Sequence, residues 1–250
     1  RLTFWLIPLN TSVRRAVKDS QACAAKSYVS TMIRITGLTT MTILAALTTC
    51  LAHSSAEAAP PVYSCPKVAV PPVIDGKLDD KAWEAAPAAT FAIATNGEKI
   101  TKSTVARMCW DDSHLYVCWD SVDTDVWGTM TRRDDLIFRE EVVEVFLDPD
   151  CDLRYYYEFN LSPRNVIFDA FISNPDGMNP DQETMFGWNC EGVRSAVVVD
   201  GTIDDRTDTD GGWTAELAIP FAGLNRPTPR PGERWRGNLY RIDLTPEPAE

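Results

Sequence analysis

From Pro60 onward, short apolar runs rich in Val, Ile, Tyr, Phe and Trp alternate with turn-forming residues roughly every ten positions, a rhythm that predicts strands. Residues 103–110 and 114–122 flank Asp111, Asp112 and Ser113, and Leu115, Val117 and Trp119 alternate along the second arm, so the pair predicts a hairpin. Residues 142–147 and 155–161 predict another, around the loop 148–154. Further strands are predicted over 166–170, 194–200, 213–220 and 235–245. One helix is predicted over 78–86, where Leu78, Ala82, Trp83 and Ala86 share a face and Pro87 ends the run. About eight strands joined by polar loops predict an all-β fold, a two-sheet antiparallel β-sandwich.

Period-two alternation assigns the faces of the second hairpin. Val143, Val145 and Leu147 share one face, as do Tyr155, Tyr157, Phe159 and Leu161, and these are expected to meet the core. Glu144, Glu158, Asn160 and Ser162 then gather on the opposite face. Trp83, Trp110, Trp119, Trp213 and Trp235 lie in apolar periodic stretches and are expected inside.

The N-terminal portion has a different character. Residues 32–58 read as a secretory signal peptide, with basic Arg34, an apolar stretch over 38–51, and small Ala56 and Ala58 before a cut expected after Ala58 or Ala59. The apolar stretch falls short of the roughly 20 residues that span a bilayer, so a secreted or periplasmic protein with no transmembrane span is expected. Cys50, after Leu47, Thr48 and Thr49, leaves a lipoprotein as the alternative. Residues 1–31 precede Met32 without periodicity and read as mistranslated upstream sequence; 59–72 read as a linker and 73–250 as the sandwich.

Charge narrows the partners. The 250 residues carry a net charge of −12, and loss of residues 1–58 would bring it to about −16. Such a surface repels nucleic-acid phosphates and anionic membranes, so nucleic acid is not an expected partner. Cys65, Cys109, Cys118, Cys151 and Cys190 remain after processing, an odd number that implies no disulfide framework; Cys109 and Cys118 read as core residues.

Five segments in order, IDGKLDDKAW, WDDSHLYV, RRDDLIFREEVVEVFLDPD, YYYEFNLSPRNVIFDA and GWTAELAIPF, resemble the family 9 carbohydrate-binding modules, over roughly residues 73–245. The resemblance implies a β-sandwich, often with structural calcium, that holds the reducing end of a glycan between two aromatic side chains ringed by polar groups. Carried over by position, the first aromatic falls at Phe138 and the rim carboxylate at Glu144. Asn160 and Ser162 stand where the family has an arginine and an asparagine, a departure from the sugar-binding pattern. The second aromatic belongs to a C-terminal strand that the resemblance places after Glu250, so the last strands are expected to be missing. Trp127, in the loop-like stretch 123–131, and Arg133 complete the candidate set. Sugar sites combine flat apolar faces with directional polar groups, and these residues supply that mixture. Each also has a plain structural reading: Phe138 as packing at a strand end, Glu144 as partner of Arg132 or Arg133, Trp127 as a loop anchor.

Asp148, Asp150 and Asp152 have the alternating spacing of calcium loops, although Leu153 and Phe159 stand where an EF-hand requires Gly and Glu. The five aspartates within 200–210 read as a metal loop or as a solvated one. Only His114 follows the signal segment, which disfavours a catalytic triad or a multi-histidine metal site. The expectation is an exported, non-catalytic module that binds an oligo- or polysaccharide of plant or microbial origin. The alternatives are a glycoside hydrolase accessory or catalytic domain using Glu144 and Glu158, a haem-binding sandwich using His114 or Met130, and a cell-surface interaction module.

Overall fold

The computed structural model describes residues 1–6, 61–92, 102–174 and 187–244. The expected signal segment 32–58 lies outside them. Eleven strands are described: β1 (Leu2–Leu6), β2 (Val62–Cys65), β3 (Ala89–Thr90), β4 (Thr104–Trp110), β5 (His114–Ser121), β6 (Val142–Asp148), β7 (Tyr155–Leu161), β8 (Ile167–Ser173), β9 (Arg194–Asp200), β10 (Gly212–Pro220) and β11 (Arg234–Ile242). They form a six-stranded sheet, β2-β1-β11-β6-β7-β8, and a five-stranded sheet, β3-β4-β5-β10-β9. The fold is the all-β sandwich that the alternation predicts.

Apolar side chains from the inner faces of both sheets make the main core. Phe159, Leu161, Val143, Val145 and Leu147 from one sheet meet Trp110, Trp119, Val117 and Leu217 from the other. All five tryptophans expected inside are buried. The parity assignment of β6 and β7 holds except at Tyr155, which is 44% exposed. Tyr155 begins β7 at the mouth of the hairpin and packs its ring parallel to Phe171.

Two departures concern the ends of elements. The helix shrinks to α1 (Lys81–Glu84), because Asp80 turns back to accept a hydrogen bond from the Val73 N–H at 2.9 Å, which holds the preceding residues in a loop. The sandwich also starts earlier than the alternation suggests. Val62–Cys65 is a strand within the expected linker, and Leu2–Leu6 is a strand within the stretch read as upstream sequence.

The two outer faces differ, and that difference positions the candidate site. The centre of the outer face of the five-stranded sheet is covered by the segment around α1, with Ala82, Trp83 and Ala86 packed on Cys109, Tyr116, Cys118 and Ala218. Glu216 of β10 clips this segment down. One of its oxygens accepts the N–H groups of Gly76 (2.7 Å) and Asp75 (2.9 Å), and the other accepts Trp83 Nε1–H at 2.8 Å. Gly76 has φ +85° and lies so close to β9 that a Cβ would fall 2.7 Å from Val198 Cγ2, so glycine is required there. Burial pushes the Glu216 carboxyl upward while the three donors pull it back. Glu216→Ala orphans three donors and is expected to cost roughly 2–3 kcal/mol of unfolding free energy. Urea denaturation checks this, with Glu216→Gln losing less because it keeps an acceptor.

Candidate functional site

The outer face of the six-stranded sheet carries the site candidates. Strand register pairs Glu144 with both Asn160 and Tyr240, and Phe146 with both Glu158 and Asn238. Successive outward residues of β6, β7 and β11 therefore build a cross-strand patch: Glu144 and Phe146, Tyr156, Glu158 and Asn160, Asn238 and Tyr240. The Phe146 ring stands edge-on to Tyr240 at 5.6 Å and tilted to Tyr156 at 6.4 Å. Asn160 donates to Glu158 at 3.0 Å, and Asn238 donates to the Tyr240 hydroxyl at 2.6 Å. Glu144 and Asn160 are buried, at 2% and 0% exposed, so they form a floor rather than a rim. Asn160 Oδ1 has no hydrogen-bond partner among the described residues. A buried acceptor left open costs stability unless a ligand or water meets it.

The other sequence candidates scatter. Phe138 sits in a 3-10 turn (Ile137–Arg139) that packs over one end of this face, its ring edge-on to Phe168 at 5.3 Å. Ser162 closes the β7–β8 turn, where its hydroxyl oxygen accepts the Val166 N–H at 3.3 Å. Arg133 is drawn to Asp169 (2.7 Å) and Asn189 (2.5 Å); Asp169 pairs in register with core-facing Phe159, so this contact lies at the inner side of the sheet edge. Trp127 is half-buried, with its indole N–H on the Leu244 carbonyl, as a loop anchor. His114 stacks on Tyr116 in the five-stranded sheet, whereas Met130 packs beside Ile137 and Phe168 on the outer face of the other sheet. The two proposed haem ligands are therefore not brought together.

Sequence reasoning missed Phe146, Tyr156, Asn238 and Tyr240. The signal was present: period two places Phe146 on the same face as Glu144, and Tyr156 on the same face as Glu158.

Two acidic groups bear on the metal expectation. Asp150 is paired with Arg226 (2.6 and 3.1 Å), Asp152 accepts the Arg154 N–H (2.8 Å), and Asp148 accepts the Leu153 N–H (3.0 Å), so the three aspartates serve separate local partners. Carboxylate oxygens of Asp123, Glu141 and Asp243 lie within 4.8 Å of one another. Lys102 reaches Asp123 at 2.7 Å and Asp243 at 3.1 Å, and the Arg241 guanidinium also contacts both. Glu141 is 1% exposed, and its Oε1 has no partner among the described residues. Burial, then the neighbouring charges of Asp123 and Asp243, push its carboxyl up to about 9. Burial and the two neighbouring carboxylates thus favour the protonated form of Glu141. An oxygen-rich, partly open set of this kind fits a hard divalent cation.

Two largely antiparallel sheets packed over a common core, with an aromatic-polar patch on one outer face, define a β-sandwich domain. The chain belongs to the carbohydrate family 9 binding domain-like family, which matches residues 74–236. It is 29% identical over 158 residues to an extracellular protein of Arthroderma benhamiae, covering 60% of this chain and 68% of that one. It is 31% identical over 178 residues to endo-1,4-beta-xylanase A of Thermoanaerobacterium saccharolyticum, covering 68% of this chain but only 12% of the xylanase. Among solved structures, a Bacteroides uniformis protein assigned as carbohydrate-binding superposes with a TM-score of 0.55 at 14% identity, covering 72% of this chain and 82% of that one. That likeness supports the fold.

The Glu141 proton has a pH consequence. Between its ordinary value near 4.5 and its folded value of about 9, the folded chain holds a proton that the unfolded chain releases. The contribution of Glu141 to stability is therefore greatest below its unfolded value and falls as pH rises toward 9. Chemical denaturation at several pH values in chelator is expected to show this decline, and Glu141→Gln, which keeps the shape without the titration, is expected to flatten it.

Proposed function

We propose that the chain is an exported, non-catalytic carbohydrate-binding module, and that the outer face of the six-stranded sheet takes an oligo- or polysaccharide. The observation that carries this reading is the patch of half-buried Phe146 and Tyr240 beside Glu158 and Asn238, over a buried floor of Tyr156, Glu144 and Asn160. Aromatic faces complement the C–H surfaces of a sugar ring, and the carboxylates and amides complement its hydroxyls. Family membership and the relationship to a short stretch of a xylanase support a glycan as ligand. The pattern over residues 32–58 and the extracellular fungal relative support export. Among the described residues no helix is long and apolar enough to cross a membrane.

Asp123, Glu141 and Asp243 would hold structural calcium, which would add positive charge to a buried acidic group and tie the loop after β5 to the end of β11. Lys102 and Arg241 already balance Asp123 and Asp243, and entry of the ion requires the Glu141 proton to leave.

Isothermal titration against cello- and xylo-oligosaccharides is expected to show binding. Tyr240→Ala and Phe146→Ala are each expected to weaken it about tenfold or more, close to 1.4 kcal/mol, with the far-UV spectrum unchanged. Absence of binding to any glycan sinks the reading, and glycosidic hydrolysis that disappears in Glu144→Gln and Glu158→Gln replaces it with the catalytic one.

Calcium at about 1 mM is expected to raise the melting temperature by preferential binding to the folded state. The increase should be larger at pH 8 than at pH 5, because protons compete for Glu141, and it should vanish in Glu141→Gln.

A further inference from the structure

Strand β1 occupies an unusual place. It lies between β2 and β11, antiparallel to the first and parallel to the second, the sole parallel pairing between the described strands. A parallel neighbour cannot come from a tight hairpin and has to be delivered by a long connection. Residues 7–61 lead from β1 to its antiparallel neighbour β2, and the parallel partner β11 follows only after all the intervening strands. The strand is nonetheless fully integrated. Leu2 and Phe4 are completely buried in the main core, and the Phe4 ring stands edge-on to Trp235 at 5.9 Å. Backbone bonds at its start, Thr3 N–H to Glu233 O (2.9 Å) and Gly232 N–H to Arg1 O (2.7 Å), tie it to the turn before β11.

The receiving side is shaped for this strand. Gly237 of β11 faces the Phe4 ring, and a Cβ there would fall 3.1 Å from Phe4 Cδ1 and 2.9 Å from the Phe146 carbonyl oxygen. The glycine therefore leaves the space that an aromatic side chain fills. Without β1, β2 and β11 would each lose a ladder partner, and the core would lose a leucine and a phenylalanine. An empty slot would combine unpaired strand edges with a large cavity, both strongly unfavourable.

We propose that the slot between β2 and β11 is a strand-binding site. It recognises an extended peptide with large apolar side chains at alternate positions, laid parallel to β11, and it holds Leu2–Leu6 without needing the covalent connection through residues 7–61. Recognition comes from main-chain bonds on both edges together with the Leu2 and Phe4 positions, the physics of strand addition.

The test uses the full chain with a specific protease sequence inserted between Asn10 and Thr11. After cleavage, size-exclusion chromatography with mass spectrometry is expected to find the N-terminal peptide co-eluting with the remainder, and to find it released in concentrated guanidinium. A fluorescein-labelled synthetic peptide of residues 1–10 is expected to exchange into the cleaved protein and raise its anisotropy saturably. Phe4→Ala in that peptide is expected to weaken binding at least tenfold. Elution of the N-terminal peptide on its own under native conditions, whether the remainder stays folded or not, overturns the proposal. Equal binding of the Phe4→Ala peptide overturns the assigned recognition.

Discussion

The sandwich depends on β6 and β7 doing opposite things on their two faces. Their inward residues, Val143, Val145, Leu147, Phe159 and Leu161, must seal the core, while Glu144, Glu158 and Asn160 project from the other side. Because side chains alternate strictly, a slip of one residue would drive carboxylates into the core and valines into the site. The site's geometry is therefore fixed by hydrophobic burial on the reverse of the same strands. Neighbouring β11 extends the arrangement, with Trp235 and Leu239 inward and Asn238 and Tyr240 outward.

Acidic groups are buried in three different ways across the molecule. Glu216 is met by two backbone N–H groups and an indole, which fastens the loop around α1 to the five-stranded sheet. Asp169 is met by the Arg133 guanidinium and the Cys190 N–H, and burial still pushes its carboxyl upward. Glu141 lies among other carboxylates, which together with burial favour its protonated form. The first two are closed arrangements whose role is cohesion. The third retains an oxygen with no partner among the described residues.

Among the described residues the two outer faces differ in what lies on them. The five-stranded sheet is covered by its own preceding loop, so its outward Glu216 is a fastener. The equivalent outward positions on the six-stranded sheet keep a half-buried Phe146 and Tyr240 among amides and carboxylates. The segment carrying Phe138 borders one end of that surface. The patch and the strand slot share β11: Gly237 admits Phe4 from one face of the strand, while Asn238 and Tyr240 serve the other.

Most strands were legible because half-buried strands write their faces into a period of two: β7 and β9 begin and end where the pattern places them, and the tryptophans lie inside as their apolar surroundings require. Glu144 and Asn160 were legible for the same reason. The sequence by itself determined the strands, their inward faces and the family. It could not determine that β1 completes a sheet after a long detour, that Asp123, Glu141 and Asp243 converge, or that Arg133 turns to Asp169 rather than toward Glu144. Those outcomes depend on which strands become neighbours. Alternation records which face of a strand is buried, but pairing between distant segments is decided only when the two sheets close over a common core.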